Sequence, residues 1–260
     1  MERVTSTSNA RIRAAAGLAR ARTRRDEGRH LVEGPNAVAE ALAAGMVDEV
    51  FCTDEGVAAA VPDGVPVTLV DDAVLARLAD AVTPQGIVAV ARSRTVPLSE
   101  VAGTGVLVVL DRVADPGNAG TILRSADALG AAGVVLTAGS VDVFGPKAIR
   151  AAVGSTYHLG IVTGVTLDEV ARVCREAGQR IVGLDAGGGE LLEQLAVLSG
   201  PLALVLGNEA HGLDAGADGL LDATVAIPLH PRAESLNVAA AAAIAIHAAV
   251  RGRSTAPRLS

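Results

Sequence analysis

The chain has 260 residues, of which 50% are hydrophobic, and a formal net charge of −7. This length predicts one large or two modest domains, either of which can bury a core. Aromatic side chains are limited to Phe51, Phe144 and Tyr157, which argues against a nucleic-acid site built on rows of stacked aromatics. The two cysteines lack a CxxC partner and the five histidines lack metal-ligand spacing, so we expect neither a disulfide framework nor a metal site.

Membrane association is not expected either. The chain does not open on a basic and then apolar signal segment, and the longest apolar run, 238–246, is far shorter than a bilayer span. A cytoplasmic protein is therefore the expectation.

The first 30 residues have a charge opposite to that of the rest of the chain. They contain eight arginines but only three acidic residues, Glu2, Asp26 and Glu27. A basic segment on an acidic protein indicates a polyanionic partner that binds locally. A solvated amphipathic helix explains the same residues equally well, and the sequence leaves the two interpretations open.

The amino-terminal part alternates between helical and strand patterns. A basic helical pattern over 9–25 is followed by the strand "HLVEG", the helix "PNAVAEALAAG" with Pro35 near its first turn, and the strand "DEVFCT". The segments "PVTLV", "DDAVLARLAD" and "GIVAVAR" continue the alternation. Residues 1–92 thus predict a small α/β domain, and 93–105, which contains Pro and Gly without apolar periodicity, predicts a linker.

Continuous apolar runs mark the strands of a second α/β domain over 106–260. These runs are "GVLVVLD", "GVVLTAG", "RIVGLDA", "LALVLG" and "ATVAIP". Uninterrupted apolar strands separated by helical segments indicate a parallel sheet covered on both faces. Ligands of such sheets bind beyond the carboxyl ends of the strands, so the loops that follow the runs are the candidate sites.

The first such loop is "RVADPGNAGTILRSADALGAAG". Asn118 stands where a helix would begin, and Arg124 follows six residues later. For Asn118 alone, a helix N-cap is the favoured interpretation, because asparagine is a good capping residue. The loop lacks the GxGxxG pattern of a dinucleotide site, and the chain contains no GxxxxGK[ST] phosphate loop.

The second loop is "GNEAHGL", which follows the run "LALVLG". A strand that ends in Gly207 allows a ligand to approach the backbone closely. Glu209 is expected at the mouth of the sheet, where a desolvated carboxylate needs a partner. A solvated loop glutamate is the common alternative.

The third loop lies between the run "ATVAIP" and an alanine-rich helix. Ser235 and Asn237 both stand at the helix start. Taken alone, Ser235 is the favoured N-cap. Only one residue can occupy the cap position, so the Asn237 amide is expected to be free to reach a ligand.

Together, the three loops resemble the three motifs of the SpoU/TrmH family of RNA ribose 2′-O-methyltransferases. The matching segments are "NAGTILRSADALGA", "LVLGNEAHGL" and "IPLHPRAESLNVAAAAAIAIHAA". The amino-terminal segment "SNARIRAAAGLARARTRRDEGRHLVEGPNAVAEAL" is similar to the family's small substrate-binding domain, which is L30e-like. The resemblance covers the chain up to about residue 252.

The resemblance implies a SPOUT domain with a deep trefoil knot, which general folding rules would not suggest. It implies homodimers whose sites are completed by the partner, and S-adenosylmethionine held through Leu206, Gly207, Ile227 and Leu236. It assigns the catalytic site to Arg124, Asn118, Glu209, Ser235 and Asn237, with no metal. Because a guanidinium stays protonated, Arg124 is expected to clamp a phosphate and orient the ribose hydroxyl rather than act as a general base.

The third motif departs from the usual family form, since "HPRAE" replaces a Gly- and Ser-containing turn and "NVAAA" replaces "NVSVA". The expected function is S-adenosylmethionine-dependent methylation of a ribose 2′-hydroxyl, with ribosomal RNA favoured over transfer RNA. A catalytically inactive RNA-binding dimer of the same fold is the main alternative. A Rossmann oxidoreductase is a third interpretation, which the missing GxGxxG disfavours.

Overall fold

The computed structural model describes residues 3–187, 189–197, 199–208, 212–213, 215–217, 219–233 and 235–251. The strands are β1 (Arg3–Val4), β2 (Arg29–Glu33), β3 (Val47–Cys52), β4 (Val67–Val70), β5 (Ile87–Arg92), β6 (Val106–Leu110), β7 (Gly133–Thr137), β8 (Gly160–Val165), β9 (Arg180–Leu184), β10 (Glu190–Leu191), β11 (Leu202–Leu206) and β12 (Ala223–Ala226). The helices are α1 (Ala10–Gly17), α2 (Ala21–Glu27), α3 (Pro35–Ala43), α4 (Glu55–Ala59), α5 (Asp72–Leu78), α6 (Leu98–Val101), α7 (Pro116–Leu129), α8 (Pro146–Ala152), α9 (Leu167–Glu176), α10 (Gln194–Val197) and α11 (Val238–Arg251). Within these ranges, no helix combines the length and apolar character that crossing a membrane requires.

The chain divides into two compact units. The first unit comprises Met1–Arg94 and Asp142–His158, and the second comprises Thr95–Val141 and Leu159–Ser260. The segment 142–158 was expected within the second domain, but it belongs to the first unit. The reason is a set of long-range polar contacts from this segment to Arg24 and His30, which the local sequence pattern does not reveal.

The first unit contains a five-stranded sheet in the order β1-β4-β3-β5-β2. Strand β5 runs antiparallel to β2 and β3, whereas β4 pairs in parallel with β1 and β3. The predicted alternation of strands and helices over 29–92 is confirmed, including Pro35 at the first turn of α3. The sequence interpretation missed the short elements β1 and α4.

The basic amino-terminal segment forms two short helices rather than one. Asn9 caps α1 by accepting a hydrogen bond from the Arg11 N–H, and α2 ends at Gly28 in the left-handed conformation. The Arg24 side chain is only 6% exposed: it pairs with Asp142 at 2.6 Å and donates to the backbone carbonyls of residues 18 and 19. Arg24 is therefore part of the interior of this unit, unlike the neighbouring arginines.

His30 anchors the segment 142–158 from the other side. Its ring is buried, with Nδ1 3.0 Å from the Ser93 hydroxyl and Nε2 2.9 Å from the Tyr157 hydroxyl. Burial lowers the pKa of His30 to about 3, and it raises the pKa of the Tyr157 phenol. The imidazole is consequently neutral at physiological pH and acts as a structural hydrogen-bonding group.

The second unit is built on a seven-stranded sheet in the order β10-β12-β9-β11-β6-β7-β8, and every strand pair in it is parallel. Leu107 and Val109 point to the face covered by α6 and α9. Because side chains alternate along a strand, Val108 and Leu110 point to the opposite face, which carries α7 and α11. The predicted parallel sheet covered on both faces is confirmed for this unit.

The expected linker 93–105 has structure of its own. It contains α6, whose Leu98 and Val101 are buried in the core of the second unit with Val170 and Cys174 of α9. One helical turn is too short to produce a recognisable apolar period, so its packing was not apparent from the sequence.

Candidate functional site

The carboxyl ends of four neighbouring strands meet at one edge of the parallel sheet. Leu206 of β11 lies opposite both Leu110 of β6 and Leu184 of β9, and Leu184 lies opposite Val225 of β12. Adjacent strands are about 4.8 Å apart, so the ends of β6, β9, β11 and β12 span roughly 15 Å. The first-motif loop, the second-motif loop and the chain that leads to the third motif all leave from this edge.

The first motif begins α7, but Asn118 is not its N-cap. Asp115 occupies that position, and its Oδ1 accepts a hydrogen bond from the Asn118 backbone N–H at 2.8 Å. Pro116 follows at the first helical position, where its missing N–H costs nothing, which favours the helix start that is observed. The prediction of an Asn118 cap is therefore wrong.

The third motif begins α11, and here the cap is Asn237 instead of Ser235. Asn237 Oδ1 accepts from the backbone N–H of Ala239 at 2.9 Å and of Ala240 at 3.4 Å, while its backbone carbonyl accepts from Ala241. Ser235 is exposed and precedes the helix by two residues. The prediction of a Ser235 cap is wrong because the helix starts later than the sequence suggested.

The amide of Asn237 also joins the third motif to the first. Its Nδ2 donates to Asn118 Oδ1 at 3.1 Å, across 119 positions of sequence. One end of the amide thus caps α11 while the other end contacts α7. The structure brings together these two predicted site residues, and both are neutral amides.

Gly207 lies directly after β11, where the second-motif chain folds back on itself. A Cβ atom at this position would lie 2.2 Å from the Gly212 carbonyl carbon and 2.5 Å from the Leu213 nitrogen, so only glycine fits. Asn208 and Gly212 exchange two backbone hydrogen bonds, of 3.0 and 2.8 Å. Gly207 is buried, yet its own N–H and C=O form no hydrogen bond within the described part of the chain.

The other predicted cofactor-binding positions behave differently from one another. The Leu206 carbonyl already accepts from the Asp111 N–H at 2.8 Å. Ile227 is half-buried and Leu236 is 39% exposed, and the backbone groups of both form no hydrogen bond to any described residue. Buried backbone polar groups need hydrogen-bond partners, so the N–H and C=O of the buried Gly207 are the groups here most suited to a ligand.

Arg124 stands apart from the amide pair. It is exposed on α7, about 9 Å along the helix axis from Asn118. Its guanidinium forms no hydrogen bond or ion pair with another described residue. Glu209, the remaining predicted site residue, lies outside the described residues. The described residues also include no group of three or more His, Cys, Asp or Glu side chains placed to hold a metal ion.

Sequence reasoning missed two residues that organise this edge, Asp111 and Arg112. Asp111 is buried and accepts from the Thr137 hydroxyl at 2.9 Å. Arg112 has a φ of 55°, and its carbonyl accepts from Asn208 Nδ2 at 2.8 Å. An aspartate directly after an apolar strand was a usable signal, whereas a left-handed arginine has no signature in the sequence.

Known proteins share both parts of this chain. The family model described as SpoU rRNA Methylase family matches residues 105–247, and the model described as MRM3-like substrate binding domain matches residues 9–89. A 23S rRNA (guanosine(2553)-2′-O)-methyltransferase of Bacillus subtilis, RlmP, is 32% identical over 249 residues, which cover 95% of this chain and 98% of that protein.

Solved structures agree with these matches. An AdoMet-bound rRNA methyltransferase from Sinorhizobium meliloti aligns with a TM-score of 0.87 and 32% identity, covering 96% of this chain and 97% of that one. The SpoU methyltransferase AviRb from Streptomyces viridochromogenes, in complex with AdoMet, aligns with a TM-score of 0.83 and 30% identity over 94% of this chain and 97% of that one.

The observed cap predicts how variants at the start of α11 change stability. Asn237→Ala removes the acceptor for two backbone N–H groups and should lower the free energy of unfolding by about 1–2 kcal/mol. Asn237→Asp keeps the acceptor and places a carboxylate at the helix N-terminus but loses the hydrogen bond to Asn118, so it should cost at most about 1 kcal/mol and less than Asn237→Ala. Urea unfolding measures both, with Ser235→Ala as the matched control. A Ser235→Ala loss equal to that of Asn237→Ala would place the cap at Ser235.

Proposed function

This chain belongs to the SpoU rRNA methylase family, and we propose that it transfers a methyl group from S-adenosylmethionine to a ribose 2′-hydroxyl of ribosomal RNA. The observation that carries the proposal is the hydrogen bond from Asn237 to Asn118, which unites the first and third motifs. The relative in Bacillus subtilis is named for the same chemistry on 23S rRNA. Ribosomal RNA is modified in the cytoplasm, where we place the reaction.

The cofactor fits the backbone groups that lack partners. Gly207, Ile227 and Leu236 offer N–H and carbonyl groups in line with the expected cofactor site, and the buried position of Gly207 excludes water from that end. When bound, S-adenosylmethionine supplies an electrophilic methyl group on a sulfonium. Asn118 and Asn237 would add neutral hydrogen-bonding groups near the reacting atoms. Ser235 lies two residues before Asn237 and is exposed to solvent.

Arg124 supplies charge rather than a base. Its guanidinium stays protonated under ordinary conditions, and its planar fork matches a phosphate group of the RNA. Binding the phosphate would orient the neighbouring 2′-hydroxyl toward the methyl group that the cofactor would supply. The hydroxyl proton leaves to a phosphate oxygen and then to solvent. Glu209 is proposed to fix the arginine or its loop.

A second copy of the chain completes the site in this proposal. Arg124 is exposed on α7, about 9 Å along the helix axis from Asn118 of its own chain. The exposed face of α11 carries Ile244, which is 42% exposed, beside small alanine side chains that allow close helix packing. We place the homodimer contact on α7 and α11, so that Arg124 reaches the partner's amides. The trefoil knot is proposed from membership of the family alone.

The first unit is proposed to be the L30e-like domain that selects the RNA, and its basic helices are proposed to be the contact. Arg13, Arg20, Arg22 and Arg25 are exposed. Among them only Arg22 has an ion pair within the described residues, a solvent-exposed contact to Asp26 at 3.7 Å that is worth little. Unpaired surface arginines on an acidic protein attract a polyanion.

Arg124→Ala tests the catalytic proposal. Transfer of labelled methyl from S-adenosylmethionine to 23S rRNA should fall at least about 100-fold, because the phosphate clamp is lost. Cofactor affinity, measured by calorimetry, should stay within about threefold, since Arg124 does not face Gly207. Arg124→Lys retains charge without the fork and should recover only part of the rate.

Two outcomes of that assay would change the proposal. Wild-type protein that binds the cofactor but labels no RNA would establish the inactive RNA-binding dimer. If the label enters purified transfer RNA and not 23S rRNA, the substrate is transfer RNA instead of ribosomal RNA.

Ile244→Asp tests the dimer. A carboxylate at this position would be desolvated in the proposed interface, so sedimentation velocity should show a monomer in place of a dimer. Val82→Asp, at a fully exposed valine of the first unit, is the matched control and should leave the dimer intact. A dimeric Ile244→Asp variant would place the interface elsewhere.

Replacement of Arg13, Arg20, Arg22 and Arg25 by Gln tests the RNA contact. RNA affinity should fall, and the slope of log K against log salt should flatten by roughly 0.7–0.9 for each phosphate contact removed. Arg24→Met should instead lower the free energy of unfolding by about 3 kcal/mol, because it leaves the Asp142 carboxylate without its ion-pair partner. It should leave the salt slope unchanged. An unaltered slope in the four-residue variant would mean that these helices are merely solvated.

A further inference from the structure

Arg112 is held in a backbone conformation that its residue type disfavours. Its φ of 55° lies in the left-handed region, and the other non-glycine residue with positive φ in the described ranges is Val153 of the first unit. A residue with a Cβ atom is higher in free energy in this region, so surrounding contacts must stabilise the conformation. The position bears on the candidate site, because Arg112 lies two residues after the end of β6, at the edge of the sheet where the strands that carry the motif loops end.

The contacts that stabilise Arg112 reach several separate elements. Its backbone N–H donates to the Thr137 hydroxyl at 3.1 Å, at the end of β7. Its guanidinium donates through Nε and Nη2 to Asp111 Oδ2 at 3.2 and 3.0 Å. Asp111 is buried, and its other carboxylate oxygen accepts from Thr137. Arg112 and Asp111 therefore lock the end of β6 to the end of β7.

The left-handed turn presents the Arg112 carbonyl to the second motif. That carbonyl accepts a hydrogen bond of 2.8 Å from Asn208 Nδ2. Asn208 is the residue after Gly207, and its backbone exchanges two hydrogen bonds with Gly212. Gly212 in turn lies so close to Gly207 that no side chain fits between them. The Arg112 carbonyl thus fixes Asn208, and Asn208 fixes the chain around Gly207.

We infer that Arg112 is a positioning residue for the cofactor site, and that it acts through its strained backbone carbonyl on Asn208 and hence on the free backbone groups of Gly207. This inference rests on the proposed function of Gly207 in holding S-adenosylmethionine. The guanidinium maintains the turn by pairing with Asp111, and it is not assigned a contact with the cofactor.

The test separates the backbone of Arg112 from its side chain. Arg112→Gly removes the guanidinium but adopts φ of 55° without strain, whereas Arg112→Val favours extended backbone and turns the carbonyl away. Calorimetry with S-adenosylmethionine alone should show about tenfold weaker binding for Arg112→Val and a change within about threefold for Arg112→Gly. Asn208→Ala, which removes the donor, should also weaken binding about tenfold.

Two controls distinguish positioning from general destabilisation. Gly164→Val introduces a similar strain at φ of 78° on the edge strand β8, in open space. It should lower the thermal unfolding midpoint but leave cofactor affinity within about twofold. The Arg112→Val, Asn208→Ala double variant should bind no more weakly than either single variant, because both changes break one hydrogen bond.

Each contrary result has a defined meaning. Unchanged affinity in Arg112→Val, an Arg112→Gly loss as large as that of Arg112→Val, or additive losses in the double variant would each overturn the inference while the proposed function stands. Wild-type protein that binds no S-adenosylmethionine would overturn the proposed function, and the inference with it.

Discussion

The side chain of Asn237 meets two structural demands with the two ends of one amide. The oxygen satisfies orphan N–H groups at the start of α11, and the nitrogen donates to Asn118 on α7. Both helices cover the same face of the parallel sheet, so this contact sets how the first motif stands relative to the third. A serine or aspartate would cap the helix equally well, but neither has an amide N–H to donate. The need for both functions explains why asparagine occupies the position.

The candidate site relies on backbone geometry more than on charged side chains. Gly207 is buried with its N–H and C=O unbonded to other described residues, and the chain returns against it so closely at Gly212 that only glycine fits. Asp111 and Arg112 then hold the neighbouring strand end in a fixed position. A site of this kind is assembled before a ligand arrives, which reduces the ordering cost of binding.

The features predictable from the sequence were those with a local physical cause. The strands β6 and β11 are apolar at every position, and β7 and β9 at all but Thr137 and Arg180, because both faces of the sheet are covered; that pattern is visible in the residues. Strand β8 was missed because Gly160, Thr163 and Gly164 interrupt its apolar run. The caps of α7 and α11 were misplaced by two or three residues, since an alanine-rich helix tolerates many starting points. The grouping of 142–158 with the first unit was not predictable from the sequence, because Arg24 lies 118 positions from its partner Asp142.

The position of Arg124 has a consequence for how the enzyme is assembled. In the proposed site, an arginine that clamps a phosphate must lie within reach of the ribose, yet Arg124 is exposed on α7 and stands about 9 Å along the helix axis from Asn118. A rotation of α7 would bring it closer, but Ile122, Leu123 and Ala126 of the same helix are buried in the core, and turning them out would expose apolar surface. A second chain that supplies the arginine avoids that cost. Under the proposed homodimer, each chain alone would hold the cofactor side of the site without the phosphate clamp, so methyl transfer would depend on assembly whereas cofactor binding would not.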